Sequence, residues 1–166
     1  MRGAQAARPE LVLVRRVITR AKDAGGEEFE DVSLAEFEDR ARRGDFAFWW
    51  RAHGLHYGIP VSAIADVEAG RCVLFNGSRN ALPRIREAFP SIGVIEISAP
   101  RERLRQRLTR RARETAGEIE ARLSGTDMEA PPGAIKIVND ASIAEGVTAL
   151  LDAVEYLCRA DGSANK

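Results

Sequence analysis

Leu11 to Arg20 reads LVLVRRVITR, a compact apolar run that turns abruptly into a cluster of cations. By length and branching, Leu11–Val14 is a buried strand. Pro9, just ahead of it, interrupts the helix read for Met1–Ala7, whose alanine-rich sequence looks like the end of a longer helix. Arg15, Arg16 and Arg20 then stand at the strand's carboxyl end, with Thr19 beside the last. Open α/β sheets bind their ligands beyond the carboxyl ends of strands, so this run reads as an anion site. A solvated surface charge run accounts for the same residues equally well.

Working outward, the pattern of strand, polar turn and helix recurs. Ala21–Glu30 reads as a loop in which Gly25-Gly26 can turn sharply. Ser33 is a suitable N-cap with Glu36 as its capping-box partner, and Gly44 closes a helix over about Leu34–Arg43. A helix over Val61–Ala69 stops at Gly70. Arg71–Phe75 is a second buried strand that releases Asn76, Gly77, Ser78 and Arg79 at its end, which is again ligand-site geometry. A helix over Ala81–Phe89 tolerates Pro83 in its first turn. Strands follow at Ile92–Ser98 and Ile135–Val138, with arginine-rich helices between them and an amphipathic helix over Ala144–Leu157 to close. Alternating strands and helices give an α/β fold, a three-layer sandwich around a mostly parallel sheet. The reading is of one domain over 1–158, with a disordered tail over 159–166.

Between the helices over Leu34–Arg43 and Val61–Ala69 lies DFAFWWRAHGLHYGIP, Asp45–Pro60, which holds both tryptophans and both histidines. Aromatic and basic groups beside Gly54 and Gly58 look like a pocket wall on irregular backbone. The plainer alternative is a hydrophobic anchor for a loop or helix.

Composition narrows the function classes. Charged residues are 30% and hydrophobic residues 45% of 166, ordinary for one globular domain, and the formal net charge is zero. Nothing in that balance calls for nucleic acid or an anionic membrane. Cys72 and Cys158 are far apart and read as small hydrophobes in a reducing compartment. No apolar run reaches the roughly 20 residues of a membrane span, and no signal-peptide core is evident, so a cytoplasmic location is expected. His53 and His56, without nearby carboxylate or thiol partners, are weak evidence for zinc. The persistent signal is arginine. A basic segment containing Arg107, Arg111 and Arg122 could close over transferring phosphoryl groups, because the guanidinium fork keeps its charge and binds phosphate oxygens in pairs. Its alternative is a surface helix laced by pairs such as Glu118–Arg122.

Taken together, RRVITR, GGEEFEDVSLAEF, FAFWWRAHGLHYGIP, VLFNGSR and LRQRLTRRARETAGEIEARL resemble the ribose 1,5-bisphosphate phosphokinases of bacterial phosphonate catabolism, a guanylate-kinase-like branch of the P-loop kinases. The resemblance runs from about Val12 to Asp140 in family order. It implies ATP-dependent phosphorylation of the 1-phosphate of ribose 1,5-bisphosphate, giving 5-phosphoribosyl 1-diphosphate, with ATP and Mg2+ as cofactors. It also implies roles by motif. Arg20 would grip the acceptor phosphate, Glu27 occupies the acidic loop position that follows, and Tyr57 matches a phosphate-binding tyrosine. Arg107, Arg111 and Arg122 match lid arginines, and Asn139 falls near the adenine end of the nucleotide site. Asn76, Ser78 and His53 are candidate sugar or phosphate contacts. The acceptor-binding subregion is placed at about 21–70 and the lid at about 105–130.

Two kinds of departure from the pattern matter. In register with guanylate kinase, the glutamate that reads guanine becomes Phe48, the serine after the YG pair becomes Ile59, and the strand-end aspartate becomes Phe75. Each change removes a partner for a base edge, which makes GMP a poor acceptor and leaves a nucleoside monophosphate kinase the weaker alternative. The family also begins with a strand and a G-x-x-x-x-G-K loop, and neither lies within these 166 residues. That loop supplies the backbone cradle and lysine for the β- and γ-phosphates. The expectation is a guanylate-kinase-like P-loop fold lacking its first strand and P-loop: an N-terminally truncated kinase, inactive as it stands. The alternative is a non-catalytic phosphosugar- or partner-binding remnant. Backbone groups left unpaired beside the absent strand would be covered by closure of the sheet or by a second chain, as in a homodimer.

Overall fold

The elements fall in the order α1 (Arg2–Ala7), β1 (Val12–Leu13), β2 (Arg16–Ile18), β3 (Phe29–Asp31), α2 (Leu34–Arg43), β4 (Phe46–Ala52), β5 (Leu55–Pro60) and α3 (Ser62–Glu68). They continue with β6 (Val73–Leu74), a 3-10 turn (Arg79–Ala81), α4 (Leu82–Ala88), β7 (Ile95–Ser98), α5 (Arg101–Arg111), α6 (Ala116–Ser124), β8 (Ile135–Val138) and α7 (Ile143–Ser163). The structure is a computed structural model and describes residues 1–20, 27–111, 115–124 and 130–163. The chain divides into two compact units, Met1–Ile92 and Gly93–Lys166.

In the first unit, β1 and β6 form a parallel pair, with Val12 opposite Val73 and Leu13 opposite Leu74. A separate four-stranded sheet has the order β3-β2-β5-β4. Its β2–β3 ladder is parallel, while β2–β5 and β4–β5 are antiparallel. Here the structure corrects two expectations. The end of the expected Ala21–Glu30 loop is strand, because Phe29 and Glu30 belong to β3, which pairs with β2 and buries Phe29; three residues are too few to show a strand's alternation in sequence. Gly25-Gly26 lies outside the described residues.

The second correction concerns Asp45–Pro60, which is a regular β-hairpin rather than irregular backbone. Ala52 pairs with Leu55 across a two-residue turn of His53 and Gly54, both with positive φ (51° and 73°). Two left-handed residues are what the tightest hairpin turns demand, because their twist matches that of the flanking strands. Helix α2 forms as its caps direct: the Glu36 backbone N–H donates to Ser33 Oγ at 3.2 Å, and Gly44 takes the left-handed C-terminal conformation.

Period-two alternation assigns each strand residue of this sheet to one of two faces. On one face, Phe48, Trp50 and Ile59 pack with Ala63, Ala81 and Ile85, and Tyr57 and Phe75 join the margin. On the other, Val17 and Phe46 pack beneath Phe37 of α2. A register shift between Phe46 and Phe48 sends these two phenylalanines, two positions apart, into different clusters.

In the second unit, β7 and β8 pair in parallel from Ile95–Ile135 to Ser98–Val138. Helices α5 and α6 pack through Leu104, Leu108, Ile119 and Leu123. Helix α7 starts from Ser142, whose hydroxyl accepts from the Glu145 N–H at 3.2 Å while Glu145 Oε2 accepts from the Ser142 N–H at 3.0 Å, a full capping box. The helix continues through Ser163, so 159–163, expected as tail, are helical; 164–166 lie outside the described residues. Among the described residues, no helix is long and apolar enough to cross a membrane.

Candidate functional site

Alternation along RRVITR places Arg16, Ile18 and Arg20 on one side of β2 and its continuation, the side that also carries Tyr57 and Trp50. Arg16 is the centre of what gathers there. Its guanidinium lies 5.0 Å from the centroid of Tyr57 and 5.7 Å from that of Trp50, two rings stacked on each other at 5.2 Å and 11°. Its Nη1 donates to the Asn76 carbonyl at 2.9 Å, and its Nη2 is ion-paired with Glu27. Asn76 Nδ2 in turn donates to the other carboxylate oxygen of Glu27 at 2.6 Å. The Arg16 side chain is only 11% exposed and that of Glu27 25%. Arg16 Nε is buried without a hydrogen-bond partner.

Of the candidates read from sequence, this face therefore brings together Glu27, Tyr57 and Asn76. Asn76 arrives from the turn released by β6, as the strand-end argument anticipates. Arg20 lies half-buried, with its guanidinium 4.4 Å over the ring of Phe29. Ser78 is half-buried at the entry to the 3-10 turn, where its carbonyl accepts from Ala81. His53 is exposed at the hairpin tip. Arg16 and Trp50 are the additions. Arg16 stood undistinguished in a basic run, and the available signal was its two-residue spacing from Ile18 and four-residue spacing from Arg20, which puts all three on one face.

Phe48, Ile59 and Phe75 account for the rest of this face. Phe48 is 7% exposed and Ile59 fully buried, both inside the apolar cluster, and Phe75 packs against it. Arg84 of α4 lies 5.5 Å over Phe48. Where a base-reading site would offer hydrogen-bond partners, this sheet offers hydrocarbon and rings. Arg16, Glu27 and Asn76 gather at the other end.

His56 sits on the opposite face, 5.3 Å from Phe37 and 6.2 Å from Trp49. Burial, helped by the nearby Arg51 cation, holds its imidazole below the usual histidine range, with Glu38 opposing. Its backbone N–H donates to Thr19 Oγ1 at 2.9 Å, and its carbonyl accepts from the Thr19 N–H at 3.1 Å, a tie between β5 and the end of β2. His56 therefore serves packing.

In the second unit, Arg107 and Asn139 are brought together: Arg107 Nη2 donates to the Asn139 carbonyl at 3.1 Å, just beyond the carboxyl end of β8. The Arg111 and Arg122 side chains lie outside the described residues, as does Glu118. Part of the basic segment is committed to structure, since Arg101 and Arg105 reach Glu120 of α6 at 3.2 and 2.9 Å. These are half-exposed pairs, and such pairs contribute little to stability. Among the described residues, no group of three His, Cys, Asp or Glu side chains is placed to hold a metal ion.

No protein-family model matches the chain. Curated proteins do. The chain is 42% identical over 147 residues to the ribose 1,5-bisphosphate phosphokinase PhnN of Desulfomicrobium baculatum, covering 87% of this chain and 79% of that one. It is 47% identical over 117 residues to the protein of the same name from Rhizobium etli, covering 70% and 59%. It is also 42% identical over 146 residues to the bifunctional ribose 1,5-bisphosphokinase-thymidine phosphorylase of Roseobacter denitrificans, of which it spans 22% of the length. Among solved structures, the guanylate kinase of Anaplasma phagocytophilum superposes with a TM-score of 0.65 at 22% identity over 92% of this chain and 78% of that one. That likeness establishes a guanylate-kinase-like α/β fold.

Proposed function

This chain belongs to the ribose 1,5-bisphosphate phosphokinase family, and we propose that it carries the acceptor side of an ATP-dependent kinase that phosphorylates ribose 1,5-bisphosphate in the cytoplasm. In that reaction an oxygen of the acceptor's 1-phosphate bonds to the γ-phosphorus of ATP. The bond to the bridging oxygen breaks, and ADP leaves with its electron pair. The work left to the protein is positioning and charge neutralisation.

Arg20 takes the role of gripping the acceptor phosphate, with Tyr57 as a hydroxyl donor to phosphate; Glu27 and Asn76 hold the sugar end, with Ser78 and His53 at its margin. Arg107, Arg111 and Arg122 neutralise charge on the transferring group, and Asn139 lies toward the adenine. The pairing of an exposed arginine with Asn139 beyond the end of β8 fits an anionic nucleotide at that strand end. Bound Mg2+ would neutralise phosphate charge, and no side chain is assigned to it. The single observation that carries this reading is the division of one sheet face into a closed apolar half around Phe48 and Ile59 and a polar half around Arg16. Such a face offers oriented polar groups to a phosphorylated sugar at its Arg16 end, and hydrocarbon and rings around Phe48.

The 166 residues contain no G-x-x-x-x-G-K-[ST]. That fact favours a second reading for these residues taken alone, in which they bind the phosphosugar without turning it over. One pair of measurements tests both. Calorimetric titration should detect ribose 1,5-bisphosphate and not GMP, and incubation with ATP, magnesium and the bisphosphate should yield no 5-phosphoribosyl 1-diphosphate above background. Tight GMP binding would overturn the acceptor, and robust turnover would overturn the inactivity of this chain.

A further inference from the structure

We infer that Glu27, fixed by Arg16 and Asn76, is the group that recognises the vicinal hydroxyls of the acceptor's pentose, so that the site selects ribose over 2-deoxyribose. The inference rests on the proposed pentose bisphosphate acceptor and adds which of its groups is read, and by what.

A carboxylate has about four acceptor sites, two on each oxygen. Arg16 Nη2 occupies one site on Oε1, and Asn76 Nδ2 one site on Oε2 at 2.6 Å. The two donors come from different elements, β2 and the turn after β6, so the plane of the carboxylate is set by both. Arg16 is itself fixed by the Asn76 carbonyl at 2.9 Å and by the rings of Tyr57 and Trp50. The result is an oriented carboxylate, 25% exposed, with acceptor capacity left on each oxygen. Two neighbouring hydroxyl donors satisfy that capacity, and the acidic residue of dinucleotide-binding folds reads a ribose hydroxyl in the same way. A phosphate does not, since it brings only more acceptor oxygens and negative charge to a carboxylate. Glu27 thus marks the hydroxyl edge of the sugar and leaves the phosphates to arginines elsewhere. Arg16 is a positioning residue here, because its fork is taken up by Glu27 and Asn76.

The test is calorimetric binding of ribose 1,5-bisphosphate and 2-deoxyribose 1,5-bisphosphate to the whole chain. A hydrogen bond to a charged group lost on removing one hydroxyl should weaken binding by about 10- to 100-fold. Glu27→Gln, which keeps the shape but turns one acceptor into a donor, should bring the two affinities to within about threefold, and Asn76→Ala should shrink the ratio while leaving both sugars measurable. Arg16→Lys keeps the charge and loses the fork; a merely structural Arg16 would lower both affinities together, whereas a positioning Arg16 lowers the ratio. Thermal unfolding of each variant confirms that it is folded, and Glu27→Gln, on a partly exposed side chain, carries the test if Arg16→Lys does not fold. Equal wild-type affinities overturn the inference while leaving the pentose bisphosphate acceptor standing. A ratio that survives Glu27→Gln assigns the hydroxyls to another group and also overturns it. Failure of both sugars to bind the wild type removes the acceptor reading, and this inference with it.

Discussion

The two faces of the β3-β2-β5-β4 sheet are built from the same strands and do opposite things. Beneath α2, Val17, Phe46 and Phe37 close an apolar layer, with Phe37 and Phe46 stacked at 4.6 Å and the His56 imidazole beside them held below the usual histidine range by burial. On the other side the apolar cluster around Phe48 covers only part of the sheet, and the remainder ends in Arg16, Glu27, Asn76 and the Tyr57 ring. The first face is a packed contact between sheet and helix, with Arg40 over the Phe46 ring at its margin. The other ties Arg16, Glu27 and Asn76 to one another, and such pairing offsets part of the desolvation cost of polar chemistry beside a core.

If that division holds, the largest effect belongs to Phe37, which is 1% exposed. Phe37→Ala should cost about 3–5 kcal/mol in urea unfolding. A cost under about 1 kcal/mol would mean that α2 is not what closes its face. Next is Gly58, where an added Cβ would lie 2.6 Å from Phe46 Cε1, 2.7 Å from Cδ1 and 3.0 Å from Cζ. The ring is packed and cannot retreat freely, so Gly58→Ala should cost about 1–3 kcal/mol, partly recovered when combined with Phe46→Leu. Ser33→Ala, which removes the N-cap bond of α2, should cost about 1 kcal/mol.

A smaller effect is tied to pH. Because the fold depresses the His56 pKa, the unfolded chain takes up a proton first, near its ordinary value of 6.5. The contribution of neutral His56 is therefore intact above that pH and is lost as pH falls through 6.5 toward the depressed folded value. Unfolding midpoints measured across that range should drop on the acid side, and His56→Phe should flatten the dependence. Least of all should be the stability change for Tyr57→Phe, within about 0.5 kcal/mol, while calorimetry should show weaker binding of ribose 1,5-bisphosphate. A Tyr57→Phe cost comparable to that of Gly58→Ala would erase the distinction between the faces.

Much of this was legible in the chain. Elements bounded by strong local chemistry were placed correctly: the Ser33 cap and Gly44 stop of α2, and the branched run Ile135–Val138 of β8. Gly54 signalled a turn, but the hairpin around it was hidden because FAFWW is apolar without interruption, and alternation cannot be read where both faces are hydrophobic. In the candidate site, Glu27 and Tyr57 were named through motif resemblance and Asn76 from its place at a strand end, and their meeting was not visible because 49 residues separate Glu27 from Asn76.

The sequence by itself determined the α/β alternation, the caps of α2 and the family. All of these are carried by residue identity or by neighbours within a few positions. Tertiary structure alone decided that Phe46 and Phe48 part to opposite faces at a register shift, and that Arg16, rather than any other arginine of its run, clasps Glu27 beside Tyr57. Those outcomes depend on which strand lies beside which and in what register. A one-residue slip exchanges the two faces, and local sequence carries no record of it.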